Sequence, residues 1–275
     1  MYNFISNYYD TLFPFDVYVE WKCFARPVIQ KSRGIQPFKE RKERPLIVDA
    51  GCGSGAMASL LATYYDVIGI DISPDMLAQA VNTYTDENIT WVCQDIAKME
   101  IGRKAAAIFA TTDTLNHITN KNKLFAFFKR AYESLESGGF LFFDVVMPKF
   151  FERNYARGEC SFEDFEWGSF FWTCDFSKKT GKVSYQLTAF EKVESKTAGG
   201  GKEELYRRYD EEISERIWSV NVLREGLTKA GFMNFTVYDN LRHPFEFAYL
   251  YPEKTLDDYE RLYFICEKPD RKSVV

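Results

Sequence analysis

The sequence is short of several things that whole classes of protein need. Only two histidines occur in 275 residues, His117 and His243, and neither has a second His, a Cys or an acidic pair at metal-ligand spacing, so no metal is expected. Six cysteines at 23, 52, 93, 160, 174 and 266 include no C-x-x-C pair and no regular interval, which excludes a zinc ribbon and a disulfide framework. They read as reduced thiols. The longest apolar stretch, Gly139 to Met147, is broken by Asp144 and falls far short of the ~20 residues that span a bilayer. The first residues lack a basic segment followed by an apolar one, so a cytoplasmic location is expected. There is no long Lys/Arg run to meet a polyanion, and the net charge is −5. Internal repeats are absent, and the one low-complexity patch is Ser195 to Lys202 with its three consecutive glycines, a loop by composition.

What remains is an ordinary globular composition, 46% hydrophobic and 17% aromatic, long enough for one large domain with an insertion or for two smaller ones. From Leu46 to Val146 short apolar runs alternate with helix-length amphipathic segments, the pattern of a parallel sheet wound with helices. Strands are predicted at 46–50, 67–70, 89–93, 105–110 and 140–146, apolar throughout as strands buried on both faces must be. Ser73-Pro74 predicts a helix start. Leu124, Phe127, Phe128, Ala131 and Leu135 predict a helix ending at Ser137-Gly138-Gly139. Ile217 to Ala230 repeats the helical period before strands at 235–238 and 262–266.

Residues 151–216 read differently. Two β-rich runs, 167–176 and 183–193, flank a turn containing Gly181, and 205–213 offers a third strand. The resulting division is a helical cap over 1–40, a core over 41–150 and 217–275, and an antiparallel insertion over 151–216. The insertion is expected to form a lid over a substrate or to pair two subunits as a homodimer.

The sharpest motif is Leu46-Ile-Val-Asp-Ala-Gly-Cys-Gly-Ser-Gly55, a buried strand running into a glycine turn and then a helix. Open α/β sheets bind ligands beyond the carboxyl ends of their strands, and glycines let a ligand approach the backbone. Asp71 ends the second strand, where a carboxylate can accept bonds from both hydroxyls of a ribose. Gln94-Asp95-Ile96 follows the third, placing an acceptor for an amino group beside an apolar packing surface. A glycine turn alone is a weak signal, since glycines often just close a tight strand-to-helix turn. Three acids at the turn and at successive strand ends, Asp49, Asp71 and Asp95, point to a nucleoside-containing ligand.

On these residues the chain resembles the class I S-adenosylmethionine-dependent methyltransferases, over about residues 45–147 plus the C-terminal helix and strands. The resemblance implies a Rossmann-like, doubly wound α/β fold of seven strands with the last antiparallel, and S-adenosyl-L-methionine as cofactor. It implies that Gly51, Cys52, Gly53 and Gly55 pass under the methionine part, that Asp49 orients the amino group, and that Asp71 binds the ribose. Ile72, Met76, Asp95 and Ile96 then surround the adenine, and Thr111 follows the fourth strand beside the cofactor. Gly51, Gly53 and Ala56 also satisfy a looser dinucleotide pattern, so NAD is a minor alternative.

The segment Thr111-Thr-Asp-Thr-Leu-Asn-His117 lacks the Asn/Asp-Pro-Pro-aromatic tetrad of nucleic-acid amino methyltransferases, and no Pro-Pro occurs anywhere. It resembles the acceptor-lining segment of small-molecule methyltransferases, including those acting on amino sugars. His117 is the candidate general base, since an imidazole titrates near working pH. A satisfied-core or surface histidine is the competing reading. Asn7 to Leu12 resembles the opening segment that folds over the cofactor in such enzymes. Tyr9, and after it Trp21, could face the sulfonium through an aromatic ring. Both could equally be packing residues. Asp113 can orient the base or bind an amine, and His243 beside Pro244 reads as a loop residue. Methyl transfer to a small-molecule nitrogen or oxygen is thus expected, without nucleic acid or membrane. A protein that only holds the cofactor is the rival, because Asp49, Asp71 and Asp95 serve binding alone.

Overall fold

Apolar runs with no polar face can only be satisfied between two layers. In the computed structural model, which describes residues 4–12, 15–32, 44–155, 160–193, 204–241 and 256–270, such runs become β1 (Leu46–Ala50), β2 (Asp66–Asp71), β3 (Ile89–Cys93), β4 (Ala105–Ala110) and β5 (Leu135–Val146). They pair in parallel, with β1 at the centre between β2 and β4. The insertion contributes β6 (Cys160–Phe165), β7 (Gly168–Ser177), β8 (Lys182–Val193) and β9 (Leu205–Arg216), an antiparallel sheet in chain order. The chain returns through β10 (Asn234–Tyr238) and β11 (Arg261–Glu267), completing a seven-stranded sheet of order β10-β11-β5-β4-β1-β2-β3 in which β11 runs against its neighbours β5 and β10.

Period-2 alternation sorts the side chains of this sheet into two cores. Leu46, Val48, Ile108, Leu141 and Phe143 face a layer built on Phe127, Phe128, Leu223 and Leu227. Ile47, Phe109 and Phe142 face Trp21, Phe24, Met57 and Leu61. The first layer comes from helices 121–134 and 220–230, the second from helices 16–32 and 56–62.

Three expectations shift. The helix at Lys121–Ser134 stops before the glycines, and β5 starts at Leu135 rather than Phe140. The Lys268 ammonium accounts for this, donating to the carbonyls of Tyr132 and Leu135, so the last turn needs no left-handed glycine. Gly138 and Gly139 instead exchange backbone bonds with Lys268. The C-terminal helix begins at Val220, capped by Ser219, because the N–H of Ile217 donates to the carbonyl of Gly181 and belongs to the insertion sheet. A fourth insertion strand, β6, went unpredicted: an edge strand carrying Ser161, Glu163 and Asp164 shows no apolar run. The loop at 195–202, His243 and residues 33–43 lie outside the described residues. No described helix is long and apolar enough to cross a membrane.

Candidate active site

The glycine turn after β1 is tied to β2, since the N–H groups of Gly51 and Cys52 donate to the carbonyl of Ile70 at 2.7 and 3.0 Å. Gly51 has φ +76°, and a Cβ there would lie 2.5 Å from Cγ2 of Thr114. A side chain is therefore excluded twice, by backbone and by space. Asp71 at the end of β2 accepts the N–H of Gly53 at 2.9 Å on Oδ2 and that of Ser73 at 2.8 Å on Oδ1. One carboxylate thus fixes both the turn and the start of the helix Pro74–Thr83, which Ser73 caps by accepting from Met76 at 3.3 Å. That places Met76 under the turn, where its Cε would be 3.1 Å from a Cβ on Gly53. Asp95 caps the 3-10 turn Ile96–Lys98 and pairs with Lys123 Nζ at 3.0 Å. Burial alone would raise this carboxyl, but Lys123 and the N–H of Ala97 hold it below the ordinary aspartate range.

These groups line a cavity of about 350 Å³. Of the residues singled out in the sequence, Tyr9, Gly51, Gly53, Asp71, Ile72, Met76, Gln94, Asp95, Ile96 and His117 line it. The others do not. Trp21 is fully buried against Phe24, Phe109, Phe142 and Tyr263 in the core, too deep to meet a ligand. Cys52 and Thr111 are buried behind the turn, and Gly55 packs on Trp91. Asp49 is 2% exposed, and no donor among the described residues reaches its Oδ2. Burial, reinforced by the charge of Asp71, raises its pKa to about 7.

A second cavity, of about 390 Å³, lies between the main sheet, the N-terminal segment and the insertion. The two cavities share Tyr9, Thr112 and His117. The N-terminal segment is fastened on both sides of this junction. Ser54 Oγ donates to Asp10 Oδ1 at 2.5 Å on one side, and Phe4 stacks on Tyr209 and Tyr8 on Trp167, each at 3.9 Å between centroids, on the other.

His117 ends a single helical turn, Thr114–His117, and its Nε2 is 3.6 Å from Oε1 of Glu215 at the end of β9. Burial pushes the imidazole below the ordinary histidine value, against the opposing charges of Asp113 and Asp71, so it is neutral near pH 7 and able to accept a proton. Glu215 is raised to about 8, first by burial and then by Asp113. Arg261 of β11 ion-pairs with Asp113 and Asp144 beside them. Sequence reasoning missed Glu215, Arg261 and Lys123. Glu215 comes from the insertion and Arg261 from the antiparallel strand, and Lys123 reaches Asp95 from the helix Lys121–Ser134. Among the described residues no group of three or more His, Cys, Asp or Glu is arranged to hold a metal.

The arrangement belongs to a known class. Residues 47–139 match the family model described as a methyltransferase domain. A chain from Geobacillus sp. (strain WCH70), provisionally named a methyltransferase, is 27% identical over 270 residues, covering 97% of this chain and 99% of its own. Among solved structures, an S-adenosylmethionine-dependent methyltransferase from Clostridium acetobutylicum superposes with a TM-score of 0.69 at 22% identity, covering 92% of each chain. A sugar N-methyltransferase from Streptoalloteichus sp. gives 0.67 at 16% identity, covering 98% of this chain and 93% of that one. The domain match shows a methyltransferase domain in this chain, and the fold is one it shares with S-adenosylmethionine-dependent methyltransferases. Its segment 47–139 is the methyltransferase domain itself.

Proposed function

We propose that the chain moves the methyl group of S-adenosylmethionine to a nitrogen or oxygen of a small-molecule acceptor. The observation that carries this reading is the meeting of two cavities at Tyr9, Thr112 and His117, one built on nucleoside-type strand ends and the other walled by aromatic side chains. The core, 41–150 and 217–275, holds the cofactor. The cap, 1–40, and the insertion, 151–216, close the acceptor side.

The residues present fit the cofactor. Asp71 keeps lone pairs free for ribose hydroxyls after accepting two backbone N–H groups. Ile72, Met76, Asp95 and Ile96 surround the adenine. Gly51 and Gly53 leave room beneath the methionine part, with Cys52, Gly55 and Thr111 shaping the turn from behind. The unpartnered Oδ2 of Asp49 supplies buried negative charge below a cationic ligand. When bound, the cofactor supplies a methyl carbon activated by its sulfonium.

The protein's own contribution is position and proton transfer. Walls of Tyr9, Tyr18, Phe170 and Trp172 exclude water and orient the acceptor for in-line attack. Tyr9 offers its ring where the cavities meet. Neutral His117 takes the proton the acceptor gives up.

Calorimetric titration with S-adenosylmethionine, S-adenosylhomocysteine and NAD tests the reading. Micromolar affinity for the first two, silence for NAD, and loss of binding in Asp71→Ala are expected. Binding of NAD alone, or retained affinity in Asp71→Ala, overturns it. Formation of S-adenosylhomocysteine that depends on an added acceptor separates the enzyme from a protein that merely holds the cofactor.

A further inference from the structure

The acceptor cavity holds one buried carboxyl that no cation among the described residues reaches within hydrogen-bond distance. Asp113 is engaged by Arg261, whose Nη2 donates to Asp113 Oδ2 at 3.2 Å, and Asp144 is engaged by the same guanidinium. Glu163 sits on the exposed rim. Glu215 differs from all of these. It is 7% exposed, it lines the cavity, and its nearest ion-pair partner among the described residues is His117 at 3.6 Å, beyond hydrogen-bond length. Burial holds the proton on this carboxyl, against the pull of Arg261, and a cation entering beside it would favour the carboxylate. Tyr9, Tyr155, Phe170, Trp172 and Tyr185 line the same cavity. Aromatic faces around a carboxylate form a site for an organic ammonium ion, which draws on both.

We propose that Glu215 makes this cavity selective for amines: the acceptor enters as a small ammonium ion, its nitrogen between Glu215 and His117 and its carbon body against the aromatic walls. This rests on the reading of the function given above and narrows it from nitrogen or oxygen to nitrogen. In the reaction the ammonium gives one N–H proton to Nε2 of His117. The freed lone pair attacks the methyl carbon, the C–N bond forms as the C–S bond breaks, and the electron pair of that bond stays on sulfur as a thioether. The positive charge carried by the sulfonium ends on the methylated nitrogen, which Glu215 still faces. An alcohol at the same place would leave Glu215 without its cation.

The test is a calorimetric titration of the whole chain with 2-phenylethylamine and its isostere 2-phenylethanol, with and without saturating S-adenosylhomocysteine. We expect the amine to bind roughly tenfold or more tightly than the alcohol, and this preference to disappear in Glu215→Gln. It should persist in Glu215→Asp, which keeps the charge, and in Glu163→Gln, which removes one from the rim. Equal binding of the two compounds, binding of neither, or a preference that survives Glu215→Gln would overturn the proposal. Should Glu215→Gln fail to fold, the alcohol comparison and Glu163→Gln still decide, since equal loss in the rim variant would reduce the effect to bulk charge. Failure of S-adenosylhomocysteine to bind would sink the methyltransferase reading separately, because amine preference is also read without it.

Discussion

Asp144 accepts the backbone N–H of Thr112 at 2.6 Å and so holds a turn the chain would otherwise avoid. Thr112 and Asp113 both sit in the left-handed region, at φ +56° and +65°, which costs ~1–3 kcal/mol for a non-glycine residue. The same carboxylate is 1% exposed and ion-paired with Arg261. Replacing it with Asn should break the pair while keeping the shape. A loss of about 3 kcal/mol in stability is expected by chemical denaturation, at the low end for a broken buried pair because the guanidinium is partly exposed. An effect under ~0.5 kcal/mol would mean that the ion pair with Arg261 contributes nothing to the stability of this turn.

Buried Asp49 and Glu215 make stability depend on pH in a direction opposite to the usual carboxylate. Their folded values, about 7 and about 8, lie above the ordinary 3.8 and 4.5. The native state therefore binds these protons more tightly, so its advantage is present below about pH 4 and declines as pH rises toward 7–8. Asp49→Asn removes one of the two penalties. Relative to the parent it should gain on the order of 2 kcal/mol between pH 5 and pH 8 in denaturation midpoints, and bind S-adenosylmethionine more weakly. No relative gain at pH 8 would show that Asp49 is compensated in solution.

The contact between Gly51 and Thr114 predicts a coupling. Gly51→Ala would place its methyl 2.5 Å from Cγ2 and 2.6 Å from Oγ1 of Thr114. It should destabilise the chain by more than ~1 kcal/mol and abolish cofactor binding. Thr114→Ala removes both clashing atoms while φ strain remains, so the double variant should recover part of the stability lost. A double-mutant cycle measures this as a coupling of ~0.5 kcal/mol or more. Strict additivity would place the cost in the backbone alone.

For His117→Ala, kcat should fall by about 10²–10⁴ while affinity for S-adenosylhomocysteine stays within twofold of the parent. Because burial lowers this imidazole, the acidic limb of the parent's kcat profile should lie below the ordinary histidine value of about 6.5. An unchanged kcat in the alanine variant would make His117 a packing residue.

The strand-end cavity was readable because its parts are local. A buried strand, a glycine turn and an acid at the next strand end follow one another within about two dozen residues, and backbone geometry forces such residues to converge at the carboxyl edge of a parallel sheet. Ser73-Pro74 likewise announces its own helix. Where a local rule met a distant partner it gave way. Ser137-Gly138-Gly139 looked like a helix exit until Lys268 satisfied the carbonyls, and Trp21 looked like a ligand contact until the sheet covered it.

The sequence by itself determined the wound sheet, the placing of its first five strands along the chain and the glycine turn after the first, since hydrophobic period and capping chemistry act over a few residues. Only the tertiary structure decided the second cavity. Glu215 arrives there on β9, Arg261 on an antiparallel strand and Tyr9 on the N-terminal segment. Their single-residue signals are those of any surface acid, base or aromatic. Burial and mutual distance give them their chemistry, and both are properties of the folded chain.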